Sequence, residues 1–188
     1  NRAAYDTLDS MRAAGLSSER AYRAVQDYLD VSNLANYMIV NMLAPSTDWP
    51  GNYYMVRRRG PRTKGFRLFS WDSEYAFLGG VSNNRTLPHR RDPDSPTKFY
   101  HALRANEEFR SLFADRLQEL LTGDGILSPG GVAERWEELA DHIEPALYAE
   151  SMRWGDYRRS TPYRPDVEWA AEREYLLNDH FPQRSGIL

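Results

Sequence analysis

Four oxygen-bearing side chains stand at the ends of two short apolar runs. In STDWPGNYYMVRRRGPRTKGFRLFSWDSEYAF, residues 46–77, Asp48 precedes Trp-Pro-Gly and Asn52 follows four positions later, at the start of an apolar run. Asp72 closes the second apolar run directly after Trp71, and Glu74 stands two positions beyond it. Polar groups in such places are costly to desolvate unless something partners them. Two chemistries account for them. In the first, carboxylate and amide oxygens hold magnesium or manganese, hard cations that keep part of their water and share phosphate oxygens. An aspartate beside them orients or deprotonates an attacking hydroxyl. These are the parts phosphoryl transfer needs: charge neutralisation, positioning and a weak base. In the second, Asp48 builds a turn, Asn52 caps one, and Asp72 ends a strand.

The elements that position these residues are legible around them. DVSNLANYMIVNMLA, residues 30–44, repeats Leu34, Met38 and Met42 every four residues, with Val31 and Tyr37 on the same side. It reads as a buried helix capped by Asp30 or Ser32 and ended by Pro45. Residues 52–57 and 65–71 are rich in aromatic and branched side chains and flank a Gly/Pro turn. They predict an antiparallel hairpin, which brings Asn52 and Asp72 to one end. Upstream, residues 3–14 and 18–29 read as helices broken at Gly15, with Ser17 or Ser18 as cap. Downstream, residues 79–95 lack any apolar period and read as a loop.

Ser95-Pro96 then opens a helix with Phe99, Tyr100 and Leu103 inward. Asn106 caps another, striped by Phe109, Phe113, Leu117 and Leu120. Ser128-Pro129 opens a third, with Val132, Trp136, Leu139, Ile143 and Leu147 in phase and a kink expected at Pro145. A short amphipathic helical tail follows Pro165. The fold class expected is α+β, mainly helical, with one small hairpin between helices, all within a single domain spanning 1–188.

Bulk properties narrow the function. A net charge of −3 supplies no global field for nucleic acid or an anionic membrane. The run Arg57-Arg58-Arg59, with Arg62 and Lys64, reads as a solvated hairpin tip. No apolar stretch approaches the ~20 residues of a membrane span, and the start of the chain carries no signal-peptide pattern. Cysteine is absent, which removes disulfides, thiolate metal sites and cysteine nucleophiles.

The run YMIVNMLAPSTDWPGNYYMVRR…FRLFSWDSEYAF resembles the spore coat protein CotH kinase family, atypical protein kinases. That family shows an Asp-Trp-Pro-like turn, an Asn-Tyr strand start, and Phe-x-x-x-x-Trp-Asp-x-Asp followed by an aromatic. The likeness continues through SPTKFYHALRANEEFRSLFADRLQELL and WAAEREYLLNDHFPQRSGIL, so it covers most of the chain.

The resemblance implies a protein-kinase-like carboxy-terminal lobe whose hairpin carries the metal site. It implies Asp48 as the catalytic aspartate, Asn52 and Asp72 as cofactor-binding residues, and Asn52, Asp72 and Glu74 as metal ligands. Glu74 stands where many members have Asp, and Ser70 where a proline is common. The implied cofactors are Mg (or Mn) and ATP. The implied partner is a protein substrate phosphorylated on Ser or Thr, at a cell surface, in a spore coat or secreted. Kinases also need a strand-rich lobe with a phosphate-gripping lysine. The first lysine here is Lys64, and the chain opens on Asn1. The expectation is therefore a lobe of a longer protein, inactive alone, and the alternative is a non-catalytic pseudokinase module.

Other motifs carry less. His89, His101, His142 and His180 are scattered singly, against a zinc or iron site. Asn84-Arg85-Thr86 fits a glycosylation acceptor, and His89-Arg90-Arg91-Asp92 reads as surface charge because it follows Asp72 in chain order. Trp136, Trp154 and Trp169 read as packing residues.

Overall fold

The computed structural model describes residues 1–46, 48, 49, 51–60, 63–83 and 95–188. The glycosylation triplet, His89-Arg90-Arg91-Asp92, Arg62 and most of the expected 79–95 loop lie outside the described residues. The chain is mainly helical, at 60% helix, with one small antiparallel sheet. It divides into two compact units, Asn1–Gln118 and Glu119–Leu188.

The first unit opens with α1 (Arg2–Ala14), stopped at Gly15, where φ is +99°. Ser18 accepts a hydrogen bond from the Ala21 N–H and caps α2 (Glu19–Val25). The helix ends earlier than residue 29 because Leu29 leaves it to bridge Phe66. At that crossing a Cβ on Gly65 would stand 2.5 Å from the Leu29 backbone, so only glycine fits. Asp30, rather than Ser32, caps α3 (Val31–Leu43) by accepting from the Asn33 N–H.

Strands β1 (Tyr53–Val56) and β2 (Arg67–Ser70) form the hairpin, with Tyr53 opposite Ser70 and Val56 opposite Arg67. Arg57 is not a simple solvated tip residue. Its guanidinium lies over the Tyr28 and Phe66 rings and donates to the Lys64 carbonyl. Helix α4 (Thr97–Leu103) starts one residue later than its Ser-Pro signal suggests, while the Ser95 hydroxyl accepts from the Thr97 N–H. Asn106 caps α5 (Glu107–Leu121) through the Phe109 N–H.

A continuous core joins α1 to α5. Leu8, Leu29, Leu34, Met38, Leu103 and Phe109 are fully enclosed, and Trp49 and Phe99 are nearly so. Met42, expected inside, is only partly buried.

In the second unit, Ser128 caps α6 (Pro129–Trp154), which runs on through Pro145. Its inward face is only partly the expected one, since Val132, Trp136 and Leu147 are half-buried. Leu139 is 66% exposed and Ile143 44%, while Ala140 is buried. Arg173 explains the rotation. It reaches Asp141 at 2.6 Å, Glu144 at 2.9 Å and Glu137 at 3.9 Å, drawing the acidic flank of α6 toward it. The tail after Pro165 is also not one regular helix. A π-helical segment, Pro165–Trp169, leads into α7 (Ala170–Tyr175), then a second, Leu176–His180, leads into α8 (Phe181–Ile187).

Candidate functional site

The loop after α3 is fixed before it presents anything. Trp49 is 1% exposed, and its indole N–H donates to the Tyr37 hydroxyl at 2.7 Å. Burial pushes the Tyr37 phenol well above its ordinary range, so it stays a neutral acceptor. The Asp48 carbonyl accepts from the Gly51 N–H, and the Trp49 carbonyl from the Asn52 N–H. Turn chemistry is thus present, but it does not consume the Asp48 side chain. One carboxylate oxygen accepts from the Ser46 hydroxyl at 2.7 Å, the other from the Asn52 amide at 2.8 Å. Asp48 is half-buried, and each oxygen keeps a further lone pair for a ligand.

The hairpin is fixed as firmly. On α3, Asn33 donates to the Leu68 carbonyl at 3.2 Å and accepts from the Leu68 N–H at 2.6 Å. Eight residues on, on the same helix face, buried Asn41 donates to the Tyr37 carbonyl and to the Ser70 hydroxyl at 3.1 Å. Ser70 therefore supplies an acceptor that a proline could not.

The two segments meet through Asn52. Its amide nitrogen donates to Asp48 Oδ2 and also, at 3.1 Å, to the main-chain carbonyl of Asp72. The Trp71 N–H donates to the Asn52 carbonyl at 3.2 Å. Asn52 Oδ1 is then the part of this side chain left for a ligand. Asp72 has φ +53°, a left-handed conformation that Asp tolerates better than most residues. Strain of this kind persists where the surroundings impose it, often at functional sites. Glu74 is exposed at the start of the turn beyond Asp72.

The donor set is a mixed one. Among the described residues, no three His, Asp or Glu side chains gather to hold a metal. An amide oxygen with a carboxylate still fits magnesium, which binds through one or two protein carboxylates, substrate phosphates and water. Tyr54 of β1 and Trp71, just past β2, are 51% and 56% exposed and meet edge-on at 5.1 Å.

Sequence reasoning singled out Asp48, Asn52, Asp72 and Glu74 but missed what supports them: Ser46, Trp49, Asn33 and Asn41. Asn33 and Asn41 had a signal, since amides set among the apolar residues of a buried helix usually need partners.

No helix among the described residues is long and apolar enough to cross a membrane. No curated protein and no solved structure matches the chain. The family model described as CotH kinase protein matches residues 4–188, essentially the whole length. The chain is a member of the CotH kinase family.

Proposed function

We propose that this chain is the carboxy-terminal lobe of an atypical protein kinase that transfers the γ-phosphoryl group of ATP to a serine or threonine hydroxyl. Asn52 Oδ1 and Asp72 hold the magnesium or manganese ion, which supplies charge neutralisation at the phosphate oxygens. Asp48 accepts the proton of the attacking hydroxyl while its two hydrogen bonds fix its orientation. The oxygen–phosphorus bond to the substrate forms, the bond to the β-phosphate bridging oxygen breaks, and ADP leaves. Tyr54 and Trp71 offer a surface on which a planar base stacks. Glu74 contributes through water, as its exposure permits.

The observation that carries this reading is the Asn52 amide, which ties the carboxylate of Asp48 to the main chain of Asp72 across two segments of the sequence. The direct test is ATP-dependent phosphate transfer by the protein as encoded, against Asp72→Asn. Asparagine keeps the left-handed backbone and removes the charge. A loss of about 10²-fold or more is expected. Undiminished transfer overturns the site, and no transfer by either protein, with no magnesium-dependent ATP binding, favours a pseudokinase.

A further inference from the structure

The second unit contains a cleft of about 400 Å³ that the proposed phosphoryl site does not use. Its walls come from the last turns of α6, the Tyr163–Arg164 approach and the π-helical segment Pro165–Trp169. Three aromatic rings (Trp154, Tyr163 and Trp169), three carboxylates (Glu150, Glu168 and Glu172) and one cation, Arg164, line it.

The cleft is built rather than incidental. The Ser151 hydroxyl donates to the Tyr163 carbonyl at 2.5 Å, and the Tyr163 N–H donates to the Gly155 carbonyl at 3.0 Å. A Cβ on Gly155 would stand 2.5 Å from the Ser151 carbonyl and 2.9 Å from that of Tyr163, so the close approach demands glycine. Trp169 is held from behind by Trp136, stacked at 5.5 Å and 23°. Glu168 serves the fold: its carboxylate accepts from the Arg164 N–H at 2.8 Å and pairs with Arg159 at 3.3 Å. Arg164 pairs with Asp166 at 3.8 Å. Glu150 and Glu172 are different. Neither side chain has a hydrogen bond or ion pair among the described residues. Wall rings and uncompensated charge therefore coincide. π-Helical turns also occur disproportionately at functional sites.

We infer that this cleft binds a small organic cation of the alkylammonium class, with its apolar groups against Trp154, Tyr163 and Trp169 and its charge facing Glu150 and Glu172. The unit already shows the affinity of these rings for weakly hydrated cations. The Arg153 guanidinium lies 4.9 Å from the Trp154 ring centroid and that of Arg159 4.3 Å from Tyr163. An inorganic cation is the wrong occupant, because apolar walls cannot replace its water.

Calorimetric titration of the protein as encoded with choline tests the inference, with 3,3-dimethyl-1-butanol as the neutral isostere. Choline is expected to bind in the millimolar range, with the isostere at least tenfold weaker. Glu150→Gln combined with Glu172→Gln should weaken choline at least fivefold, and Trp154→Ala tenfold, at unchanged melting temperature and unchanged ATP-dependent phosphate transfer. Equal binding of the isostere, choline binding that survives the double substitution, or no binding up to 50 mM overturns it. So does exclusive binding of an arginine-containing peptide, which would make the cleft a protein-docking groove instead.

Discussion

The two compact units meet the demand for burial differently. In residues 1–118, side chains from five helices and the hairpin enclose Leu8, Leu29, Leu34, Met38 and Phe109 completely, and a tryptophan from the candidate catalytic loop joins them. In residues 119–188, the 26-residue α6 buries only Ala140 outright, while Leu139, Met152 and Trp154 stay largely exposed. Leu176 and Phe181 are buried there, and Arg173 with its three carboxylates and the Trp136–Trp169 stack lie around them. The contrast is one of precision. Polar side chains that must meet within hydrogen-bonding distance need a close-packed backing, and the first unit provides it.

The contrast breaks most visibly at Trp49. Trp49→Ala removes a fully enclosed indole and should cost about 3–5 kcal/mol, whereas Met152→Ala, at a 90% exposed position, should stay within about 0.5 kcal/mol. Denaturant unfolding of both variants measures this, and equal costs would erase the distinction. Asn33→Ala comes next. It orphans the Leu68 N–H and carbonyl together, for about 1–3 kcal/mol, and should reduce phosphate transfer because β2 carries Asp72 at its end.

Acid sensitivity sharpens the same contrast. The Arg12 side chain, with help from Lys98, holds the Asp9 carboxyl down at about 2, against an ordinary 3.8. A carboxyl lowered by folding stabilises above its unfolded value and loses that contribution as pH falls through the folded one. The first unit should thus keep this term above pH 3.8 and lose it toward pH 2. Because Asp9 is about one-third exposed, roughly 1 kcal/mol is the expected size after screening. Stability of Asp9→Asn should be flatter across that window, and an unchanged acid slope would remove Asp9 from the account. The weakest of these interactions belongs to the second unit. Arg173→Ala should cost about 1 kcal/mol or less, with the difference shrinking in 0.5 M salt to roughly half. Hydrogen exchange across α7 reads it, and a salt-independent loss would mean packing, not charge, holds that helix.

What was legible in the sequence was local. The caps at Ser18, Asp30, Asn106 and Ser128 are satisfied by the next turn of their own helices, so the signal and the structure lie within four residues of each other. The hairpin and the meeting of Asn52 with Asp72 follow from turn chemistry and strand pairing. What was not legible depends on distant partners. Trp49 reads as part of a turn until Tyr37 is seen beneath it. On α6 the expected stripe holds at Val132, Trp136 and Leu147 but fails at Leu139 and Ile143, because apolar residues lie on more than one side and Arg173, far along the chain, draws in the acidic flank. The π-helical segments after Pro165 have no composition that distinguishes them from an ordinary helix. Trp154 read as packing, yet it is 49% exposed and faces a cleft.

The central claim is that Asn52 and Asp72 grip one divalent ion beside the Asp48 carboxylate. Paramagnetic broadening by manganese–ATP, followed by NMR on the protein as encoded, tests it most directly. The account predicts that the Asn52 side-chain amide and the Trp71 and Asp72 backbone amides broaden first, and that Asp72→Asn abolishes the effect. Broadening centred elsewhere, or persisting unchanged in Asp72→Asn, would contradict it.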